Sequence, residues 1–132
     1  MKKDIEIPKV VGVEVAVAKD EDSDTGWRVY LINKNDFALA NVLVASKGYG
    51  QLEGESRKTS TLRHMIGEIG PENYAAIEPI DPKLFVLANE YWVSYYVGNQ
   101  IYDKKFVFVA GSLKEENCTK IKSLGKTGIL HT

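Results

Sequence analysis

W-R-V-Y-L-I-N (residues 27–33), a polar loop, and L-A-N-V-L-V-A-S-K (39–47) decide how this chain folds. Successive side chains on a strand point to opposite faces. Trp27, Val29 and Leu31 therefore share one face, and Arg28, Tyr30 and Ile32 the other. In the second segment Val42 and Val44 oppose Leu43 and Ala45. Apolar residues on both faces mark central strands, or a sheet covered on both sides. N-K-N-D (33–36) supplies the turn between them.

Before that pair, residues 10–19 alternate: Val11, Val13, Val15 and Val17 face one way, Gly12, Glu14, Ala16 and Ala18 the other. This is the pattern of a half-buried strand. D-E-D-S-D-T-G (20–26) joins it to Trp27 as a turn, and residues 1–9 read as a loose arm or edge segment. After the pair, the Gly48–Arg57 stretch holds three glycines and few apolar residues, which predicts a mobile loop. Residues 59–69 are β-capable, and G-P-E-N (70–73) is a turn. Residues 74–80 are a short strand whose Pro79 puts it at an edge. Asp81-Pro82 opens a turn or one helical turn.

Residues 89–97 form the most aromatic strand, paired as a hairpin with 104–110. S-L-K-E (112–115) has capping-box spacing, which predicts a short helix over about residues 113–119. The tail beyond carries no clear pattern. About seven strands with regular turn signals and no long helix predict one all-β domain over residues 1–132. It is expected to be an antiparallel β-sandwich with a short C-terminal helix or tail.

At 132 residues, 44% apolar and 27% charged, the chain buries roughly two-thirds of its unfolded surface without a metal or disulfide. Net charge is -1, which lacks the basic footprint of a nucleic-acid binder. Cys118 is the single cysteine. The first residues lack the apolar run of a signal peptide, and Glu14 interrupts the longest apolar stretch. The expectation is a cytoplasmic protein with no membrane segment.

Two segments resemble immunoglobulin-like and fibronectin type III-like domains. L-I-N-K-N-D-F-A-L-A-N-V-L-V (31–44) is similar to the strand–Asn–loop–Leu-x-Asn-Val-x-Val pattern of bacterial immunoglobulin-like domains. F-V-L-A-N-E-Y-W-V-S-Y-Y-V (85–97) is similar to the entry into the sixth strand of fibronectin type III domains. The resemblance implies that Tyr91 packs inward with its hydroxyl on backbone, and that Phe85 is its apolar partner. Val93 and Tyr95 would then point inward, and Trp92, Ser94 and Tyr96 outward. It implies no particular activity.

Candidate chemistry is sparse. Asp20, Asp22 and Asp24 have calcium-loop spacing, but Thr25 and Leu31 stand where the loop needs Gly and Glu. G-Y-G-Q-L-E-G matches neither a Walker loop nor a dinucleotide fingerprint. His64, His131 and Cys118 are too few for a metal centre and have no local nucleophile partner. His64 with Glu68 or Arg63 is the only grouping an enzyme could use.

No catalytic residue, metal or cofactor is therefore expected. The surplus of strand aromatics predicts a protein-interaction or assembly module, with a protein partner or self-association through Trp92, Tyr96 and Tyr49. The alternative is a small-ligand or carbohydrate-binding domain using those aromatics, with the Gly48–Arg57 loop as lid.

Overall fold

The computed structural model describes residues 8–132, so the first seven residues of the expected arm lie outside it. Ten strand segments are present among the described residues. They are β1 (Val13–Lys19), β2 (Trp27–Asn33), β3 (Leu39–Leu52), β4 (Glu55–Lys58), β5 (Leu62–Ile69), β6 (Asn73–Pro79), β7 (Ala88–Val97), β8 (Gln100–Phe108), β9 (Thr119–Ile121) and β10 (Lys126–His131). The first sheet runs β6-β2-β1-β10-β9. The second runs β4-β3-β7-β8, with β5 also on β3. Every pairing is antiparallel.

The organising pair splits between the sheets, β2 to the first and β3 to the second. The apolar core between the sheets follows from the alternation. Val13, Val15, Val17, Val29 and Leu31 meet Val42, Val44, Tyr91, Val93, Tyr95, Phe106 and Phe108 from the other sheet. Asn33, fully buried at the end of β2, ties the connections together. Its amide donates to the carbonyls of Phe37 (2.8 Å) and Gly70 (2.9 Å), and its oxygen accepts from the Asn35 backbone amide (3.0 Å). Asn41 lies in the left-handed region at φ 49°, where the β3 register shifts in a bulge. Asparagine tolerates that conformation better than most residues.

Three expectations are corrected. Residues 113–119 form no α-helix, only a 3-10 turn over Glu115–Asn117. The Ser112 hydroxyl donates to the Val109 carbonyl, and Glu115 is taken by Lys19. Both halves of the capping box are thus spent elsewhere. Residues 48–57 are not a loop: β3 runs on through them, turns at Glu53-Gly54 and returns as β4. Both turn residues have positive φ, 54° and 79°, the conformation whose twist matches a two-residue hairpin. β4 and β5 together back β3 as an interrupted strand. At the break, Thr59 Oγ1 accepts from the Gly48 amide (2.7 Å) and stands in for a ladder bond.

The patternless tail becomes a hairpin. β10 pairs with β1, and β9 pairs with β10. Ile121 and Leu124 cover Ala16, Ala18, Tyr30 and Ile32 on the outer face of the first sheet. This explains why β1 and β2 are apolar on both faces.

The acidic turn is structural. Asp20 is only 6% exposed. It accepts from the Tyr30 hydroxyl (2.6 Å), the Asp22 amide (3.0 Å) and Arg28 Nε (2.9 Å), with Lys126 Nζ 3.8 Å away. The Tyr30 hydroxyl, then the Asp22 amide, then Arg28 hold its pKa down at about 2. A carboxyl whose folded pKa is depressed stabilises the fold above its unfolded value of about 3.9 and loses that contribution as pH falls. The window is about pH 4 down to about 2. Asp20→Asn should therefore flatten the fall in urea midpoint across that window. Parallel midpoint–pH curves for variant and parent would contradict this account.

Candidate interaction surface

The two sheets differ on their outer faces. The hairpin of β9 and β10 covers the middle of the first. No described segment covers the second, which exposes Met65 (86%), Trp92 (49%), Ile101 (47%), Leu43 (46%) and Tyr96 (37%). Scattered apolar residues on a surface are ordinary, but a contiguous set on one flat face marks a contact surface.

Cross-strand register builds this face. One row runs Arg63 on β5, Ala45 on β3, Trp92 on β7 and Lys105 on β8. The next runs Met65, Leu43, Ser94 and Asp103. Small Ala45 and Ser94 lie among large neighbours, so the two rows enclose a concavity. Its volume is about 430 Å³, with Leu43, Met65, Trp92 and Arg63 among its walls. Lys105 Nζ lies 5.2 Å from the Trp92 ring centroid, within cation–π range.

Among the expected residues, Trp92 and Tyr96 share this outer face, while Tyr91, Val93 and Tyr95 are buried beneath it. Tyr49 is on a strand, not a loop. It faces the same way, with its hydroxyl 3.2 Å from Glu90 and Lys47 near its ring. Burial and then Glu90 push the Tyr49 hydroxyl pKa up. Tyr49 and Tyr96 each lie about 13 Å along the strands from Trp92, four residues at roughly 3.3 Å each. The Lys47–Glu90 pair intervenes on the Tyr49 side (3.8 Å). The three aromatics thus span a broad surface and do not close on one small ligand. Leu43 and Met65 were not predicted: each is one of several apolar residues in its strand, and only the register brings them beside Trp92.

The grouping of His64 with Glu68 or Arg63 does not form. Arg63 points outward, and His64 turns to the margin where β5 meets β6. There His64 Nε2 lies 2.7 Å from Glu78 Oε1, which also accepts from Ser46 Oγ at 2.7 Å. The Tyr91 hydroxyl is 3.5 Å from Glu78 Oε2, so the expected bond to backbone is replaced by a long contact to a carboxylate. Burial, and secondarily Glu78, push the Tyr91 pKa up. The ring that meets Tyr91 edge-on is Phe108, at 6.1 Å, while Phe85 packs edge-on against Trp27 at 5.1 Å. Catalytic triads place an imidazole between hydroxyl and acid. Here the acid sits between the other two, so Ser46 gains no base from His64. The cluster fastens the β6 margin of one sheet to β3, β5 and β7 of the other.

Cys118 is partly buried with Sγ 3.6 Å from the Lys114 carbonyl. Burial and the Glu115 charge raise its pKa, the opposite of a reactive thiol. Among the described residues no three His, Cys, Asp or Glu side chains are grouped to hold a metal ion, and no helix is long and apolar enough to cross a membrane. Comparison with family models, curated proteins and solved structures finds no match for this chain.

Proposed function

We propose that this chain is a non-catalytic, immunoglobulin-like β-sandwich that binds another protein through the outer face of the β5-β3-β7-β8 sheet. The observation that carries this reading is the difference between the outer faces: the C-terminal hairpin covers the middle of one, leaving Tyr74 and Leu130 partly exposed on it, and the other keeps Leu43, Met65, Trp92, Tyr96 and Ile101 in water. Burial of large apolar and aromatic side chains drives most stable protein contacts. Strand order supports the sandwich type. β1-β2-β6 corresponds to strands A-B-E, and β4/β5-β3-β7-β8 to C′-C-F-G. The added β9–β10 hairpin departs from the minimal domain.

The carbohydrate reading has less support. The residues that would be its lid form a paired hairpin, and the aromatics are too widely spaced to stack on one sugar.

A photo-crosslinking residue in place of Met65, expressed in the native host, should yield discrete protein adducts. The same residue in place of Lys122, on the hairpin, should not. Equal labelling from both positions, or none from position 65, defeats this reading.

A further inference from the structure

We infer that the groove between Met65 and Trp92 receives an extended acidic peptide: one bulky apolar side chain fills the groove, and carboxylates two residues to either side meet Arg63 and Lys105. This rests on the reading of the outer face as an interface and adds the chemistry of its occupant.

The row Arg63–Ala45–Trp92–Lys105 crosses four strands in register. Among the described residues, neither Arg63 nor Lys105 has a carboxylate within ion-pair distance. The other charges on this face are Lys47 and Glu90, which are paired with each other, Asp103, which stands one row away beside Ser94, and at the two ends of the face Lys58 opposite Tyr49 and Glu68 beside Ile69. Positive charge is therefore concentrated along the Trp92 row, and the Ser94 row is negative at its β8 end. A ligand bearing acids is guided onto the first row and away from the second.

Spacing sets the ligand's pattern. Three inter-strand steps of about 4.8 Å separate Arg63 from Lys105 by about 14 Å. Four residues of extended chain cover about 13 Å, and residues i, i+2 and i+4 share one face. An acid–x–apolar–x–acid segment laid across the strands thus puts both carboxylates on cations and its central side chain over Ala45 and Ser94. The concavity of about 430 Å³ falls in the size range of specific ligand pockets.

The chain does not carry this ligand itself. Acids stand four apart only at Asp20/Asp24 and Glu68/Glu72, whose central residues are Asp22 and Gly70. A second copy therefore lacks the apolar anchor, and the occupant is a different protein. A single-stranded nucleic acid would want a longer basic track and aromatics at base spacing, and this face has neither.

The test is tryptophan emission during titration with the peptide Gly-Glu-Gly-Leu-Gly-Glu-Gly, blocked at both ends. Controls carry Lys for both Glu, or Gly for Leu, and an oligothymidine is titrated in parallel. The expected result is a saturable blue shift with the Glu–Leu–Glu peptide, absent in Trp92→Phe. Affinity should fall about tenfold in Arg63→Glu and in Lys105→Glu, and fall again in high salt, as exposed charge contacts do. Both residues are on the surface, so unchanged circular dichroism shows that the variants are folded.

Equal binding of the lysine peptide overturns the inference, as does binding of oligothymidine alone. So does an absent response in a wild type that sedimentation shows to be a dimer dissociated by Leu43→Asp. In that last case, and whenever position 65 still crosslinks, the face remains an interface and only the acidic occupant is lost.

Discussion

Gly128→Val should strip the C-terminal hairpin from the first sheet. A Cβ at position 128 would lie 2.3 Å from the Val17 carbonyl oxygen and 2.6 Å from the Ala18 Cα. Both atoms are backbone of β1, the strand that β10 pairs with, so no side-chain rotation relieves the clash. β10 must then move away, and Ile121 and Leu124 go with it. Exposing two large aliphatic side chains costs about 3–6 kcal/mol, at roughly 1.5–3 kcal/mol each. That is a large share of the about 5–15 kcal/mol that stabilises a typical domain. Hydrogen exchange should show β9 and β10 losing protection while β2, β3 and β7 retain it. Gly128→Ala should do the same to a smaller extent. Native protection of β10 in both variants would mean that the close approach at Gly128 is not what seats the hairpin.

The same hairpin shows where sequence reading stops. β1, β2 and β7 were legible because each borders the core and obeys the two-residue period. Along β7 this sorted Tyr91, Val93 and Tyr95 from Trp92 and Tyr96 as the structure has them. The β4 strand is exposed at all four residues. It is held by backbone pairing alone, which leaves no apolar period to read, and so its segment looked like a glycine-rich loop. The tail hid itself differently. Its covering residues, Ile121 and Leu124, lie in and after a three-residue strand, too short to alternate. At residues 112–115 a local signal was present but was outcompeted, since Lys19, nearly a hundred residues earlier in sequence, claims Glu115.

The surface was half legible for a related reason. Alternation assigns a side chain to a face, but not to its neighbours on that face. β7 alone put Trp92 and Tyr96 on one face, and the resemblance to fibronectin type III domains implied that this face is the outer one. The company of Leu43, Met65, Arg63 and Lys105 depends on how four strands are set beside one another. That register is fixed in part by the bulge at Asn41, where the pairing of β3 with both neighbours shifts. Leu39 and Val42 both face the core although they stand three residues apart, so removing the bulge would turn one side of β3 over and scatter the row through Trp92.

Phe106→Ala should be the most costly single truncation on the other margin of the two sheets. The β5–β6 margin is closed by polar groups around Glu78. The β8–β10 margin is closed by rings. Phe106, fully buried on β8, and Phe108 both meet the His131 ring edge-on, at 5.3 and 5.6 Å. β8 ends its sheet, so these rings, with Ile129, Tyr102 and Leu113 packed beside them, keep water from the core along that side. Phe→Ala in a core costs about 3–5 kcal/mol, the upper part when the site cannot collapse. Collapse is restricted here because backbone pairing holds β8 on β7 and β10 on β1. The urea midpoint should fall accordingly with little change in slope. His131→Ala should cost less, and the two changes together less than their sum, because each ring's truncation already removes their shared contact. A fully additive double variant would show that the rings stabilise their own sheets separately and do not join the two.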